Sequence, residues 1–259
     1  MRPLSAHTIV RLWEWGQGRN LAERALGLLV AALPDRSRDE LAALTLGRRD
    51  ALLLDLRERT FGPALASYSE CPECGQGLEF TARVGDLIVT SEGAEIAENG
   101  ETPDESEPGE FELISGDYAL RFRLPDSTDL MSVAACEDAR AARVMLARRC
   151  LLGVRREGER AAPPELPGEL PEQLMSDLAA RMIECDPQAE VLLDLDCPAC
   201  GHSWLVVFDI ASFLWSEVSA LAKRLLRDVH SLARAYGWSE SDILSMSDVR
   251  RQFYLEMVT

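Results

Sequence analysis

Two short cysteine motifs decide how this chain folds: CPECG at residues 71–75 and CPACG at residues 197–201. In each motif two residues separate the cysteines, so both sulfur atoms can face one point. Proline restricts the backbone of such a turn, called a knuckle below, and the glycine after the second cysteine permits the positive φ that it needs. An apolar strand pattern follows each knuckle, GLEFTARV at 77–84 and HSWLVVFDI at 202–210.

The paired knuckles resemble the two hairpin turns of a zinc ribbon. Four thiolates, from Cys71, Cys74, Cys197 and Cys200, predict one closed, tetrahedral, structural Zn²⁺ site. A redox-active C-x-x-C pair and an iron–sulfur centre are the alternatives, although a redox pair normally occurs singly and at the start of a helix. His202 is a further candidate ligand, although the four cysteines already complete the set.

The two knuckles are far apart in the chain, since 122 residues, 75–196, separate them. Closing a loop of this length costs conformational entropy, so we expect the metal to fasten distant segments and its binding energy to become folding energy. The other three cysteines, Cys136, Cys150 and Cys185, fall in helical patterns and are expected to be small buried hydrophobic residues.

The composition is that of a globular protein, and it argues against nucleic-acid binding and against insertion into a membrane. The 259 residues are 47% hydrophobic and carry a net charge of −17, which disfavours binding to nucleic acid. The longest uncharged apolar run, at 25–33, is too short to cross a bilayer, so no membrane insertion is expected. The first residues show no export signal, which predicts a cytoplasmic protein.

Helical periodicity is strongest near the C-terminus. One helix is predicted from Phe208 to Tyr236, ending at Gly237, and Ser239 is predicted to cap a short second helix before a last helix at 248–258. Near the N-terminus, Asn20 is predicted to cap a helix that Pro34 ends, and two further helical patterns are separated at Gly47. Residues 127–153 are predicted to be helical, with a break near Cys136.

A further helix is predicted at 172–186, where Pro171 can sit in the first turn. Strands are predicted after the first knuckle, at 111–125 around a hairpin turn at 116–117, and at 189–197. The fold is therefore predicted to be α+β, mainly helical, with a small antiparallel zinc-ribbon-like module formed by the two distant C-P-x-C-G knuckles. We divide the chain into an N-terminal helical region (1–67), the first knuckle with β-hairpins and an acidic loop at 92–110 (68–124), a helical insertion with a Pro-rich loop (125–188), the second knuckle with its strands (189–210), and a C-terminal helical region (211–259).

The sequence contains no arrangement that is typical of an active site. Its three histidines are scattered, and it has neither a nucleophile-elbow motif nor a phosphate-binding glycine loop. We therefore predict that the protein is not an enzyme.

The C-terminal segment LWSEVSALAKRLLRDVHSLARAYGWSESDILSMSDVRRQFYLEMV resembles the C-terminal signature of a tailed-phage baseplate protein family that also occurs in phage-like contractile injection gene clusters. The residues that carry this resemblance are His230, Leu232, Ala233, Tyr236, Gly237, Trp238, Ser239, Glu240, Ile243, Leu244, Arg250, Arg251, Tyr254 and Leu255. The segment GRRDALLLDLRERTFG and both knuckles are also similar to the longer bacterial members.

The resemblance implies a structural or assembly role in a contractile tail or injection apparatus, with other baseplate, hub or spike proteins as partners. The protein would then be cytoplasmic during assembly and could remain in the virion or injection particle. Five residues of the signature have the composition of a partner-binding site: Tyr236, Trp238, Arg250, Arg251 and Tyr254. The alternative function is a zinc-ribbon regulatory or nucleic-acid-binding protein, but CPECGQGLEF and LDLDCPACGHSW contain no Lys or Arg.

Overall fold

The computed structural model describes residues 1–89, 109–156 and 171–258, and it confirms the α+β fold class. The helices are α1 (Ala6–Trp15), α2 (Leu21–Ala32), α3 (Arg38–Ala42), α4 (Leu46–Phe61), α5 (Val84–Leu87), α6 (Ser127–Val133), α7 (Ala139–Cys150), α8 (Glu172–Cys185), α9 (Ile210–Tyr236), α10 (Glu240–Leu244) and α11 (Asp248–Val258), with a 3-10 turn at Pro187–Ala189. The strands are β1 (Ala64–Glu70), β2 (Gly77–Arg83), β3 (Phe111–Ser115), β4 (Tyr118–Phe122), β5 (Leu151–Arg156), β6 (Val191–Asp196) and β7 (Ser203–Phe208).

The strands form three small antiparallel sheets, β1–β2, β3–β4–β5 and β6–β7. None of the helices in the described ranges combines the length and apolar character that crossing a bilayer requires. Residues 92–108 of the predicted acidic loop and residues 157–170 of the predicted Pro-rich loop lie outside the described residues.

Helix α9 lies at the centre of the larger hydrophobic core. Asp209 caps its N-terminus, and it ends at Gly237, whose φ of +69° is the left-handed conformation that glycine adopts without strain. Leu214, Val218 and Leu225 have no exposed surface, because this face packs against α1, α2 and α4. The long amphipathic helix predicted from the sequence is confirmed.

The N-terminal helices begin where local capping signals place them. The Asn20 carboxamide accepts a hydrogen bond from the Glu23 amide, and the Glu23 carboxylate accepts one from the Asn20 amide. The two further helices predicted are present as α3 and α4, but they are separated at 43–45, because Gly47 lies within the first turn of α4 and Thr45 caps that helix. The Asp186 carboxylate accepts a 2.8 Å hydrogen bond from the Gly47 amide, and a side chain at Gly47 would collide with that carboxylate.

A second, smaller core forms inside the insertion between the knuckles. Sheet β3–β4–β5 packs against α8, and the buried residues are Leu120, Phe122, Ala147, Leu151, Leu174, Met175 and Leu178. The helix predicted to reach Gly153 ends at Cys150, since residues from Leu151 onward pair with β4. The segment 125–188 was predicted to be helical apart from its loop. This is wrong, because the segment also supplies β5, the third strand of this sheet.

A buried carboxylate links the start of α6 to the end of α7. Asp129 has no exposed surface and accepts hydrogen bonds from both terminal nitrogens of Arg123, at 2.6 and 2.9 Å, and from Arg149 Nε at 2.8 Å. Burial acts to raise the pKa of Asp129, but the hydrogen bonds from Arg123, the Asp126 amide and Arg149 outweigh it and lower the pKa to about 2.

We expect this carboxylate to make the unfolding free energy depend on pH. Because its folded-state pKa is depressed, its contribution of roughly 2 kcal/mol is present above about pH 4 and is lost as the pH falls through about 2. Asp129→Asn should lower the unfolding free energy at pH 7 and remove that pH dependence, measured by urea titration between pH 2 and 7. Asp117→Asn, at an exposed turn, is the control. An Asp129→Asn loss of equal size at pH 2 and pH 7 would contradict the assignment.

A bidentate ion pair joins α4 to α9. The guanidinium of Arg57, which is 3% exposed, donates to Glu217 at 3.0 and 2.7 Å and to the Gly62 carbonyl at 2.6 Å. Gly62 is the C-cap of α4, just before the chain enters β1. This arginine therefore fixes both the packing of the two helices and the exit toward the first knuckle.

Glu217→Ala should destabilise the protein by about 2–3 kcal/mol, because it leaves the buried Arg57 charge without its carboxylate. Asp55→Ala removes the exposed Arg59–Asp55 pair, and its effect should be below about 1 kcal/mol. Denaturant titration of both variants at neutral pH checks the difference. Equal losses of unfolding free energy in the two variants would show that the Arg57–Glu217 pair stabilises the protein no more than an exposed ion pair does.

Candidate metal centre

Two β-hairpins present the cysteine knuckles to each other. The knuckle at 71–74 connects β1 to β2, and the knuckle at 197–200 connects β6 to β7. The strands that follow the knuckles, and the strand before the second one, agree with the sequence prediction. Strand β1 was not predicted, and because it begins at Ala64, its first residues fall within the region 1–67 that was predicted to be helical.

The two knuckles have the same backbone hydrogen bonds. In the first, the Cys71 amide donates to the Gln76 carbonyl at 3.0 Å and the Gly75 amide donates to the Cys71 carbonyl at 2.9 Å. The corresponding bonds in the second knuckle measure 2.8 and 2.9 Å. Gly75 and Gly201 have φ values of +71° and +72°, which confirms the predicted need for glycine at this position.

The four sulfur atoms converge on one point. Cys71 Sγ lies 3.7 Å from Cys200 Sγ, Cys74 Sγ lies 3.6 Å from Cys197 Sγ, and all four atoms lie within 4.8 Å of one another. A disulfide would bring two sulfurs to about 2.05 Å. Four thiolates at about 2.3 Å from a tetrahedral Zn²⁺ would be about 3.8 Å apart. The observed spacing fits ligands around an ion, so the four cysteines could hold a metal.

The protein surrounds this cluster unevenly. Cys71 and Cys197, the first cysteine of each knuckle, are 2% and 3% exposed, whereas Cys74 and Cys200 are exposed. Hydrogen bonding from the Cys200 backbone amide helps to lower the pKa of Cys197 to about 6. The His202 amide acts to lower the pKa of Cys200, but burial and the neighbouring thiols raise it to about 12. The backbone of the second knuckle therefore favours the ionised form of Cys197. Four adjacent thiolates would repel one another, so a cation would be needed for all four cysteines to ionise together.

The other candidate ligands lie apart from the cluster. The His202 ring stacks on Trp204, with ring centroids 6.1 Å apart, and His202 is not among the side chains that converge. Cys150 is buried in α7, where burial raises its pKa to about 12. Cys185 is half-buried at the end of α8. Cys136 was predicted to lie in a helix, but it lies in the connection between α6 and α7. In the described ranges the four knuckle cysteines form the sole group of metal-ligating side chains with this geometry.

Comparison with known proteins identifies a family. The model of a family described as T4 bacteriophage base plate protein matches residues 22–215, which is most of the chain. This chain belongs to that family. The match includes both knuckles and all four cysteines of this baseplate-family protein. It ends within α9, so the C-terminal signature lies beyond the matched residues. The chain matches no curated protein and no solved structure.

The C-terminal signature residues of this baseplate-family protein form an aromatic cluster. Tyr236 stacks on Trp238 with ring centroids 4.4 Å apart, and Tyr254 contacts Trp238 edge-on at 4.8 Å. The Arg250 guanidinium lies 5.6 Å from the centre of the Tyr254 ring. Tyr236 is 38% exposed, and Arg250 is exposed.

Arg251 lies elsewhere, since it is 2% exposed. Its guanidinium donates to Asp228 of α9 at 3.3 Å, and also to Asp248. Asp248 lies on α11 itself, so the contact with Asp228 is the one that holds α11 against α9.

One surface was missed by the sequence analysis, the outward face of hairpin β6–β7. Leu192, Leu205 and Val207 are 47%, 63% and 60% exposed. The sequence carried a signal for this, because the strands VLLDLD and SWLVVF place apolar residues on both faces, whereas a strand with one solvated face normally alternates.

Metal content gives a direct check of the cluster. We expect one divalent ion per chain in the native protein and a loss of most of it in Cys74→Ser, measured by inductively coupled plasma mass spectrometry. Because Cys74 is exposed, its replacement removes little packing, so a fall in thermal stability reports the lost metal. Cys185→Ser, outside the cluster, should keep both metal and stability. With a chelator present, the wild-type protein and Cys74→Ser should unfold at the same temperature; a persistent difference would argue against a metal role.

Proposed function

We propose that this baseplate-family protein is a non-enzymatic structural or assembly protein of a phage-like contractile tail or injection apparatus. The observation that carries the proposal is the family match over residues 22–215, which covers much of the larger core, the insertion and both hairpins. In this proposal the protein is cytoplasmic during assembly, and its partners are other baseplate, hub or spike proteins.

We further propose that Cys71, Cys74, Cys197 and Cys200 are the ligands of a structural Zn²⁺. Four thiols with no histidine or carboxylate among them are typical of closed zinc sites, whereas a catalytic zinc keeps a position open for water or substrate. When bound, the ion would neutralise the thiolates and cross-link hairpin β1–β2 to hairpin β6–β7. Both hairpins also reach the larger core, through Leu65 of β1 and Val191 of β6, so the cross-link would fasten elements that pack together.

The C-terminal helices are the proposed contact region for a partner. The cluster of Tyr236, Trp238 and Tyr254, with Arg250 against it, combines aromatic and guanidinium groups as protein interfaces do. Arg251 supports this surface from inside by fixing α11 on α9. The helices thus offer a rigid surface at the end of the chain, beyond the matched part.

The proposed function is tested by locating the protein in the organism that produces it. A tagged copy is expressed from its own locus, sheathed particles are purified by sedimentation, and particle and soluble fractions are blotted. We expect the protein either in particles at a fixed ratio to another baseplate protein, or in the soluble fraction bound to a hub or spike protein. A protein found in neither place would contradict the proposal.

Substitutions in the C-terminal helices test whether this proposed contact region binds the partner. Replacing exposed side chains with Tyr236→Ser and Arg250→Ser should reduce partner association by about tenfold while metal content is unchanged. His230→Ser, an exposed position on α9, serves as the control and should leave association unchanged. Equal association in all three variants would remove the C-terminal helices from the interface.

A further inference from the structure

The outward face of hairpin β6–β7 is an apolar patch that no described residue is seen to cover. In the register of the hairpin, Leu192 lies opposite Val207, and Leu205 lies opposite Asp194 on the same face. The three apolar side chains are about half exposed or more. The opposite face carries Val191, Leu193 and Phe208, which pack on the larger core, so the outward residues are not needed to fold the hairpin onto the body.

Carboxylates surround this patch. Asp194 and Asp196 lie on the outward face of β6, Glu190 comes directly before that strand, and Asp209, which caps α9, follows β7; all four are exposed. The sequence from 182 to 222 contains seven acidic residues, no Lys and no Arg. Arg49 lines a cleft beside Val207, but its side chain is 6% exposed and its Nε donates to Asp50 at 2.7 Å. The hairpin and the segments on either side of it in the chain therefore carry only negative charge.

We propose that the outward face of β6–β7 docks a partner protein through a segment in which Arg or Lys side chains flank apolar ones. The apolar side chains would cover Leu192, Leu205 and Val207, and the basic side chains would meet the ring of carboxylates. A second copy of this chain is disfavoured as the occupant, since pairing two such faces would bring the carboxylate rings together. The proposal rests on the proposed function, because the partner is taken to be a component of the same apparatus.

The metal cluster would give this surface its rigidity. The β6–β7 hairpin has two strands in the described part of the chain, and a lone hairpin of this size is marginally stable in water. Its turn is the second knuckle, held against the first by the sulfur cluster, and its inner face lies on the core. A pre-organised face loses less conformational entropy when a partner docks.

A photo-crosslinking experiment in the producing organism tests this surface. Val207→p-benzoylphenylalanine places a photoreactive group on the patch, and Phe253→p-benzoylphenylalanine places one on α11, where Phe253 is 61% exposed. After irradiation, crosslinked peptides are identified by mass spectrometry. We expect position 207 to crosslink to a net-positive, apolar segment of another component.

Charge reversal provides the second arm. Asp194→Arg combined with the photoreactive residue at 207 should lower the crosslink yield by about tenfold or more, because like charges would now face each other. Asp117→Arg makes the same charge change at an exposed turn of the other core and should leave the yield unchanged. Metal content is measured in every variant, so that a folding defect is recognised.

The outcomes separate this inference from the proposed function. Crosslinks from 207 to a second copy of this chain, to a net-negative segment, or to nothing would overturn the inference, and so would a yield unaffected by Asp194→Arg. If 253 crosslinks to a baseplate or hub protein while 207 does not, the proposed function stands and the inference fails. If the tagged protein is absent from particles and from hub complexes, the proposed function itself fails.

Discussion

The convergence of four thiols is the constraint on which the rest of this structure depends. It joins two knuckles separated by 122 residues, and their sulfurs lie at the spacing that a tetrahedral ion requires. Without this junction, two short hairpins at distant points of the chain would have to meet through core packing alone, against the entropy of closing a long loop. With an ion bound there, the two ends of the insertion would be held together while it folds around its own small core.

The two hydrophobic cores stabilise different parts of the chain. The larger core is built on α9 and takes in elements from both sides of the insertion, from α1 at one end of the chain to β6 and α10 near the other. The smaller core belongs to the insertion, where the buried carboxylate of Asp129 gathers two arginines. Charged groups at such buried junctions specify geometry, because each loses much of its solvation unless its partners are in place.

Hairpin β6–β7 contributes to the core, to the sulfur cluster and to the surface. Its inner residues complete the larger core, its turn carries two of the four thiols, and its outer residues remain exposed among carboxylates. A surface fixed from two directions in this way suits a protein whose family assembles into a large particle. The C-terminal aromatic cluster lies outside the matched residues, with Arg250 against Tyr254 and α11 joined to α9 through Arg251 and Asp228.

The sequence by itself determined the features that depend on a few neighbouring residues. The spacing of each C-P-x-C-G motif, the capping residues Asn20 and Ser239, and the glycine at 237 act over three or four positions, so their consequences could be read directly. The apolar stripe of α9 was equally clear, because a long periodic pattern has one helical solution. These signals were enough to predict the fold class, the four converging cysteines and the family.

Only the tertiary structure decided the features that depend on distant partners. Residues 151–153 continue a helical pattern, yet they form a strand because β4 offers them hydrogen bonds. Strand β1, ALASYSE, has small and polar residues and becomes a strand by pairing with β2. Arg251 is charged yet buried, because Asp228 of α9 reaches it. The exposure of Leu205 and Val207 likewise follows from which face of the hairpin meets the core, and a strand with two apolar faces does not encode that choice locally.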